Sequence, residues 1–294
     1  MLAPTTLTRR SFARGMVATC ALGATLLLAG CGNTTADTGS TPAAGSNDTA
    51  AEDDTGAAST GTLVVGFDQS YPPYGFVGDD GEFTGFDLDL AAAVAEKAGW
   101  DVEYEAIDWD AKDTLLNSGA INCIWNGFTM EGREDDYTFS EPYMLNGQVI
   151  VVRADSGITS VDDLAGKAVI TQVDSAALDV LEGDRADLAQ TFASLETIGD
   201  YNTAFMQLES GAVDAVACDL SIAEYQMSAK PDAYVQLDDM LSEEHYAVGF
   251  KKGDEASAEA VNDALRELVE DGTVQELCEK YAEYGISFDN WVLE

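Results

Sequence analysis

A ten-residue segment occurs twice in the sequence, and this repeat limits the possible folds more than any other feature. The copies are residues 116–125 (LNSGAINCIW) and 208–217 (LESGAVDAVA), 92 residues apart. In each copy an amphipathic helix ends at Ser-Gly, where Gly119 or Gly211 can adopt the left-handed conformation that closes a helix. A short run rich in apolar residues follows directly and is typical of a buried strand. We therefore expect two similar structural units.

The same order of elements leads into each copy of the repeat. In the first unit we predict strands at 63–67, 102–104 and 121–125, and helices at about 87–98 and from about Asp110. In the second unit we predict strands at 168–171, 190–192 and 213–217, and helices at about 175–181 and 202–209. The order β-α-β-α-β predicts a parallel sheet with helices on its faces. The fold class is therefore α/β, with two similar α/β lobes.

Two apolar strands, at 149–152 and 246–250, lie where the chain can cross between the lobes. Helices at about 255–270 and 273–284 follow, and because no third sheet remains for them to cover, we expect them to return to the first lobe. This organisation assigns residues 62–149 and 249–294 to lobe 1 and residues 150–248 to lobe 2.

The first thirty residues carry the pattern of an export signal. Arg9 and Arg10 precede an apolar stretch, residues 16–29, that is shorter than the roughly 20 residues a membrane span needs. It ends in Leu-Ala-Gly-Cys31, which resembles the lipobox of bacterial lipoproteins, in which the cysteine becomes the lipidated N-terminus. The paired arginines resemble a twin-arginine export signal. We predict a lipoprotein signal peptide at 1–30; the alternative is an uncleaved signal anchor.

Residues 32–61 contain no aromatic and no large aliphatic side chain. Such a segment cannot bury enough apolar surface to offset the entropy lost on ordering, so residues 31–61 are predicted to be a disordered tether. An acyl chain such as palmitate on Cys31 would then hold the folded part just outside the cell membrane.

The charge balance excludes two classes of partner. The chain has 14 Lys and Arg against 54 Asp and Glu, a net charge of −40, and loss of the three arginines before residue 31 leaves −43. Such a surface repels nucleic-acid phosphates and anionic lipid headgroups. We therefore expect no nucleic-acid partner and no polybasic membrane docking.

Cysteine and histidine usage gives no sign of a metal or a cofactor. Cys123, Cys218 and Cys278 lie in no CxxC or Cys/His spacing, so buried free thiols are expected, with a Cys123–Cys218 disulfide as the open alternative. His245 is the only histidine, and its place in a predicted crossover strand favours a packing role over catalysis.

Ligands of open α/β sheets bind beyond the carboxyl ends of the strands, here in loops 68–71, 126–133, 172–176 and 218–219. Arg133 can pair with a carboxylate in bidentate geometry. Asp219 and Asp68 can attract a cation, and Tyr71 and Trp109 offer flat apolar surfaces. The helix that opens at 174–176 has free N–H groups that also favour an anion. These groups together are typical of a receptor for a free α-amino acid.

Each of these residues also has a purely structural interpretation. Arg133 lies beside three acidic residues and could form a surface ion pair. Asp174, Asp87 and Asp110 could serve only as helix N-caps, and the two aromatic residues could belong to the core. The segment 78–82 is a hairpin turn in our interpretation, because it lacks the ligand spacing of a calcium loop.

Several motifs, in order, resemble the extracytoplasmic solute-binding proteins of amino-acid ABC importers. They are GFDQSYPPY (66–74), GFDLDL (85–90), NGFT (126–129) with Arg133, and FSEPY (139–143), and the resemblance covers about residues 62–290. It implies two lobes, joined by two crossing strands, that close on the ligand (a type II periplasmic binding fold). It also implies an ABC permease in the membrane as partner, and we expect a monomer.

The resemblance also assigns roles to individual residues: Arg133 to the ligand carboxylate, Asp219 to its ammonium group, and Gln172 and Asp68 to the far end of its side chain. The implied ligand-binding set is Asp68, Tyr71, Trp109, Asn126, Gly127, Thr129, Arg133, Gln172, Ser175, Ala176 and Asp219. Two departures from the family pattern stand out: the loop from 129 to 133 is one residue short, and Ala176 replaces a hydroxyl residue or glycine.

Two other functions are compatible with this fold. Cyclohexadienyl dehydratases resemble it and use carboxylates of the cleft as general acid or base, a role that Asp68 or Asp219 would take here. The protein could also be a ligand sensor that docks on a separate membrane receptor. For a binding protein, Gln172 and Asp68 favour a polar or basic amino acid over an aliphatic one.

Overall fold

The computed structural model describes residues 61–294. The predicted signal peptide, the lipidation site Cys31 and the tether up to residue 60 lie outside the described residues. Within the described part, no helix combines the length and the apolar character needed to cross a membrane.

Strands and helices alternate along most of this part of the chain. The strands are β1 (Thr62–Phe67), β2 (Ser70–Tyr71), β3 (Gly75–Val77), β4 (Phe83–Thr84), β5 (Asp101–Ala106), β6 (Cys123–Ile124), β7 (Tyr137–Phe139), β8 (Met144–Arg153), β9 (Ala168–Gln172), β10 (Ser194–Ile198), β11 (Ala215–Asp219), β12 (Tyr234–Gln236), β13 (Ser242–Tyr246) and β14 (Gly249–Lys251). The helices are α1 (Phe86–Ala98), α2 (Lys112–Ser118), α3 (Ala176–Glu182), α4 (Ala186–Ala189), α5 (Tyr201–Ser210), α6 (Leu220–Ala229), α7 (Glu255–Glu270) and α8 (Thr273–Lys280).

The strands form two main sheets, each with a parallel centre. The first has the order β5-β1-β6-β14-β7, with β1 parallel to β5 and β6 and with β14 antiparallel to its neighbours. The second has the order β10-β9-β11-β8-β12, with β9 parallel to β10 and β11, and with β13 also paired to β8. The predicted α/β class with two similar sheets is confirmed.

Both predicted helix ends of the repeat are confirmed. Helix α2 ends at Gly119 with φ 77°, and α5 ends at Gly211 with φ 76°. In both cases the glycine N–H donates a hydrogen bond to a carbonyl oxygen of the last helical turn. That carbonyl would otherwise have no hydrogen-bond partner within the helix. The predicted hairpin is also present, because β3 and β4 pair in antiparallel register on either side of the 78–82 turn.

The strand predicted at 190–192 is wrong. Residues 186–189 form α4 instead, and the strand β10 begins at Ser194. Residues 190–192 lie in turns between these two elements, and Leu188 and Phe192 both pack on the apolar cluster beside the second sheet, so their burial does not require a strand at this position.

The C-terminal helices return to the first sheet as expected. Both α7 and α8 pack against α1, which buries one face, including Leu90 and Val94, against the first sheet. The strands change sheet between Phe139 and Met144 and again between Tyr246 and Gly249. The lobe boundaries at residues 149 and 248 themselves stay a prediction.

The three cysteines of the described chain are buried free thiols, and the Cys123–Cys218 alternative is not formed. Burial raises the pKa of the Cys278 thiol to about 12, so it stays protonated at neutral pH. These side chains act as small apolar core residues.

Candidate functional site

A small cavity lies where loops from the two sheets meet. The empty space in it, counted together with its opening to solvent, is about 240 Å³. Its lining residues are Tyr71, Trp109, Gly127, Thr129, Arg133, Gln172, Ser175, Ala176 and Asp219. All nine belong to the ligand-binding set predicted from the sequence, and they come from loops at the carboxyl ends of strands in both sheets.

Asp219 supplies a buried carboxylate at the end of β11. Its Oδ1 accepts hydrogen bonds from Asn146 Nδ2 at 3.0 Å, Gln148 Nε2 at 2.7 Å and the Tyr246 hydroxyl at 3.1 Å. Burial raises the pKa of this carboxyl above its ordinary value, although these donors oppose the shift. A cation that enters the cavity would therefore meet a carboxylate held in place by neutral donors.

Arg133 supplies the positive charge of the cavity. Its side chain is only 11% exposed and lies over the Phe128 ring at 5.0 Å from the ring centroid. The guanidinium reaches the other sheet, with Nη2 2.9 Å from an Asp179 oxygen and 3.3 Å from the Asp174 carbonyl. The ion pair foreseen as a structural alternative thus exists, but with Asp179 across the cleft rather than with the acidic neighbours in sequence.

Two aromatic residues line the cavity from the first sheet's side. Tyr71 is 5% exposed, and its hydroxyl lies 3.2 Å from that of Tyr246. Trp109 Nε1 donates to the Asp174 carbonyl at 3.1 Å, so this indole also joins the two sheets. Both rings therefore bury most of their surface and still present part of it to the cavity.

The start of α3 forms the opposite side of the cavity. Ser175 is the N-cap, and its Oγ accepts the Leu178 N–H at 3.2 Å, whereas Asp174 adopts φ 52° just before it. The carboxylate of Asp174 does not cap the helix and lies 3.8 Å from Lys112 Nζ. The N-cap role considered for Asp174 in the sequence is therefore filled by Ser175.

Asp68 and Asn126, the other two predicted residues, lie beside the cavity rather than in its lining. Asp68 Oδ2 accepts from Gln172 Nε2 at 2.8 Å, which links the two sheets. Asn126 Oδ1 accepts the Asp68 N–H at 2.9 Å and so fixes that loop. Asp68 also lines a larger chamber outside the cavity, together with Asp108, Asp110 and Asp200.

Glycine is required at position 127. Its φ of 57° lies in the left-handed region, and a Cβ there would stand 3.0 Å from both the Tyr71 and the Tyr246 ring. The Gly127 N–H donates to Asp87, whose carboxylate is fully buried. Close approach of the backbone to the cavity therefore depends on glycine.

Sequence reasoning missed four polar residues behind the cavity: Asn146, Gln148, Glu244 and Tyr246. The first two occupy alternate positions of an otherwise apolar strand, MLNGQVIVVR, and their side chains point to the same face of β8. That spacing was a signal that could have identified them. Glu244 gave no such signal, because it stands in an acidic, unremarkable stretch of sequence.

The packing role expected for His245 is wrong. Its side chain is 39% exposed, and Nδ1 lies 2.7 Å from a Glu131 oxygen on the surface. The residue alternates with Glu244 and Tyr246 along β13, so their inward orientation directs His245 outward. In residues 61–294, no group of three His, Cys, Asp or Glu side chains is arranged to hold a metal ion.

The sequence pattern of bacterial extracellular solute-binding proteins, family 3, matches residues 63–284, nearly all of the described chain. The chain belongs to this family. L-cystine-binding protein TcyJ of Escherichia coli (strain K12) is 32% identical over 224 residues, which are 75% of this chain and 82% of the relative.

Solved structures of similar proteins agree with this membership. An ABC uptake transporter substrate binding protein from Streptococcus pneumoniae with bound histidine is 33% identical, with a TM-score of 0.74 over 78% of this chain and 96% of that chain. An ancestral arginine-binding protein bound to arginine is 36% identical, with a TM-score of 0.69 over 75% and 98% of the two chains. This family 3 solute-binding protein therefore has the type II periplasmic binding fold that its motifs implied.

Proposed function

We propose that this solute-binding protein binds a free amino acid outside the cytoplasmic membrane and delivers it to an ABC permease. One observation carries the proposal: Arg133 and Asp219, of opposite charge and from different sheets, line the same small cavity. A guanidinium suits the α-carboxylate and a buried carboxylate suits the α-ammonium group. The relatives and structures compared above are named as binding proteins, which also supports binding rather than catalysis.

A polar or basic side chain fits the surroundings of the cavity best. Gln172 lines the cavity and bonds Asp68, which lines the neighbouring chamber together with three further aspartates. Relatives named for cystine, histidine or arginine are compatible with this assignment. A net charge of −43 after signal removal also favours encounter with cations, although salt would screen it.

Binding operates in this proposal through a shift between open and closed forms. The ligand contacts groups of both sheets at once, so it has higher affinity for the form in which they are close together. The Trp109–Asp174, Arg133–Asp179 and Asp68–Gln172 contacts also join the same two sides. They would stabilise closure once the ligand is in place.

The finer points of location belong to the same proposal. We propose that a lipid on Cys31 anchors the protein to the cell membrane, that export uses the twin-arginine route, and that the protein acts as a monomer. The sequence patterns described above support the first two points.

The test is ligand binding by residues 32–294 and by variants of the two charged residues. A thermal-shift screen against the common amino acids should reveal the ligand. A ligand present at about 100 times its dissociation constant adds roughly 2.7 kcal/mol of stability. Arg133→Ala and Asp219→Ala should then abolish the heat of binding in calorimetry, because each leaves one charge of the ligand without its partner.

Arg266→Ala and Asp263→Ala are matched controls, since both residues lie on α7, outside the cavity lining. Arg266 is half-buried and pairs with Asp263 at 3.4 Å and with Glu141, and Asp263 is exposed. Both control variants should bind as the parent does, and circular dichroism should show that all four variants fold. Parental affinity in Arg133→Ala or Asp219→Ala would show the site assignment to be wrong.

A further inference from the structure

A second carboxylate lies directly behind the cavity. Glu244, in β13, is 3% exposed, and its Oε1 accepts from Thr129 Oγ1 at 2.9 Å, Asn146 Nδ2 at 2.7 Å and Gln148 Nε2 at 2.5 Å. Glu244 and Asn146 are direct partners in the β8–β13 register, which fixes this contact. Glu244 is not part of the cavity lining.

Glu244 and Asp219 share the same two amide groups. Asn146 Nδ2 and Gln148 Nε2 each contact both carboxylates, at 2.5–3.0 Å. Each amide nitrogen carries two hydrogens, so it can donate one to Asp219 and one to Glu244. The charge state of Glu244 is therefore coupled to Asp219 through a continuous hydrogen-bond network.

No lysine or arginine of residues 61–294 forms an ion pair with either carboxylate. Arg133 contacts this network at the Thr129 carbonyl alone, to which its Nη1 donates at 3.3 Å. The titratable groups that face Glu244 are Asp219 from β11 and Tyr246 from its own strand, with Tyr71 behind Tyr246.

Burial and the charge of Asp219 raise the pKa of Glu244 to about 7. Two carboxylates joined by shared donors and without a cation hold a proton between them near neutral pH. A positive charge placed beside Asp219 would favour the ionised form of both groups. Asp219 lines the cavity, where the ammonium group of the proposed ligand would supply such a charge.

We propose that Glu244 is a positioning residue of the ammonium pocket that orients Thr129, Asn146 and Gln148 and releases a proton when a cationic group binds Asp219. The inference rests on the proposed function. Because the Thr129 hydroxyl donates to Glu244, its lone pairs stay available to the ligand ammonium group. Ligand binding favours ionised Glu244, so affinity rises with pH up to about 7 and is constant above it.

The experiment is calorimetry with L-arginine, or with L-glutamine if arginine gives no thermal shift, in two buffers of different ionisation enthalpy at about pH 6.5. The parent should release a substantial fraction of a proton per ligand. Its affinity should rise about sixfold between about pH 5.5 and 7.5, out of the tenfold total expected if binding lowers the pKa by one unit. Glu244→Gln keeps the acceptor oxygen, and it should bind with no proton release and no pH dependence over this range.

Glu243→Gln is the matched control. Glu243 precedes Glu244 in β13 and its side chain points to the opposite face of the strand, so this variant should behave as the parent. Proton release that persists in Glu244→Gln would overturn the assignment, since it would come from another group. If Glu244→Gln does not fold, absence of proton release by the parent from about pH 5.5 to 7.5 overturns it equally. Failure of every amino acid to bind would instead overturn the proposed function, and this inference with it.

Discussion

Asp87 shows how the role of one residue depends on contacts far away in sequence. It stood in the sequence as a possible N-cap, but it lies within α1 and is fully buried. Its carboxylate accepts from the Gly127 N–H at 2.6 Å and from the Tyr143 hydroxyl at 2.8 Å. It therefore supports the loop that brings Gly127 to the cavity.

Asp87→Asn should make stability less dependent on pH. Burial raises the pKa of Asp87 to about 7, so the folded state holds a proton that the unfolded state releases above about pH 4. The parent should therefore lose on the order of 3 kcal/mol through this group as the pH rises from about 4 to 7. The asparagine variant should not lose this stability. Denaturant unfolding at about pH 5 and 8 would measure how far the free energy of unfolding changes in each protein. Equal pH dependence of the two proteins would contradict this account of Asp87.

At the scale of elements, the two copies of the repeat use the same physical device. Helices α2 and α5 both end at a glycine in the left-handed region and continue into a strand of a sheet centre, β6 or β11. The cavity residues of the two units come after these strands: Gly127, Thr129 and Arg133 follow β6, whereas Asp219 ends β11. The helix and strand of the repeat therefore form the same scaffold in both units, and the residues that face the ligand lie at the strand end or in the loops that follow.

Gly119→Ala and Gly211→Ala should each lower the free energy of unfolding by about 1 kcal/mol, because alanine is strained at these φ angles. No atom lies within 3.4 Å of a Cβ built at either position, so the effect is one of backbone conformation rather than of collision. Gly199→Ala is the control, since Gly199 has equal space but no left-handed φ. Urea unfolding would compare the three variants, and a similar loss at Gly199 would refute the conformational explanation.

At the scale of the whole molecule, acidity acts both on the surface and in the interior. Signal removal leaves a net charge of −43, so surface charges repel one another. In the interior, burial raises the pKa of Asp68, Asp219 and Glu244 as well as that of Asp87. These buried groups cluster at the cavity, where their ionisation is most useful for binding a cation and least favourable for stability.

The folded domain should be more stable at about pH 5.5 than at about pH 8. Each raised pKa means that the folded state binds more protons than the unfolded state between about pH 4 and the folded pKa, so the free energy of unfolding rises as the pH falls through that window. Added salt should stabilise the domain at the higher pH by screening surface repulsion. Guanidinium is itself a salt, so urea unfolding is the suitable measurement. Equal or greater stability at about pH 8 would show that the surface and buried acids do not determine how the free energy of unfolding depends on pH.

Much of the site could be predicted because it depends on local rules. Strand ends, helix caps and the loops beyond them are set by short stretches of chain, and nine of the eleven predicted residues line one cavity. Asp68 and Asn126 lie beside this cavity, and their contact with each other spans 58 residues in sequence, so no local rule fixes it. The strand at 190–192 was misplaced because Phe192 packs on a cluster of distant residues from a turn, so its apolar side chain did not mark a strand.

The sequence by itself determined the two α/β lobes, the helix ends of the repeat and the loops that carry the charged and aromatic residues. Periodicity, glycine conformation and the carboxyl-end rule act over a few residues, so they can be read without the fold. Only the tertiary structure decided that Arg133 reaches Asp179 and that Glu244 shares two amides with Asp219. The first contact joins residues 46 apart in sequence, on a loop and on α3. The second depends on the register of β8 with β11 and β13, strands more than 60 residues away in sequence, and no local pattern specifies such a pairing.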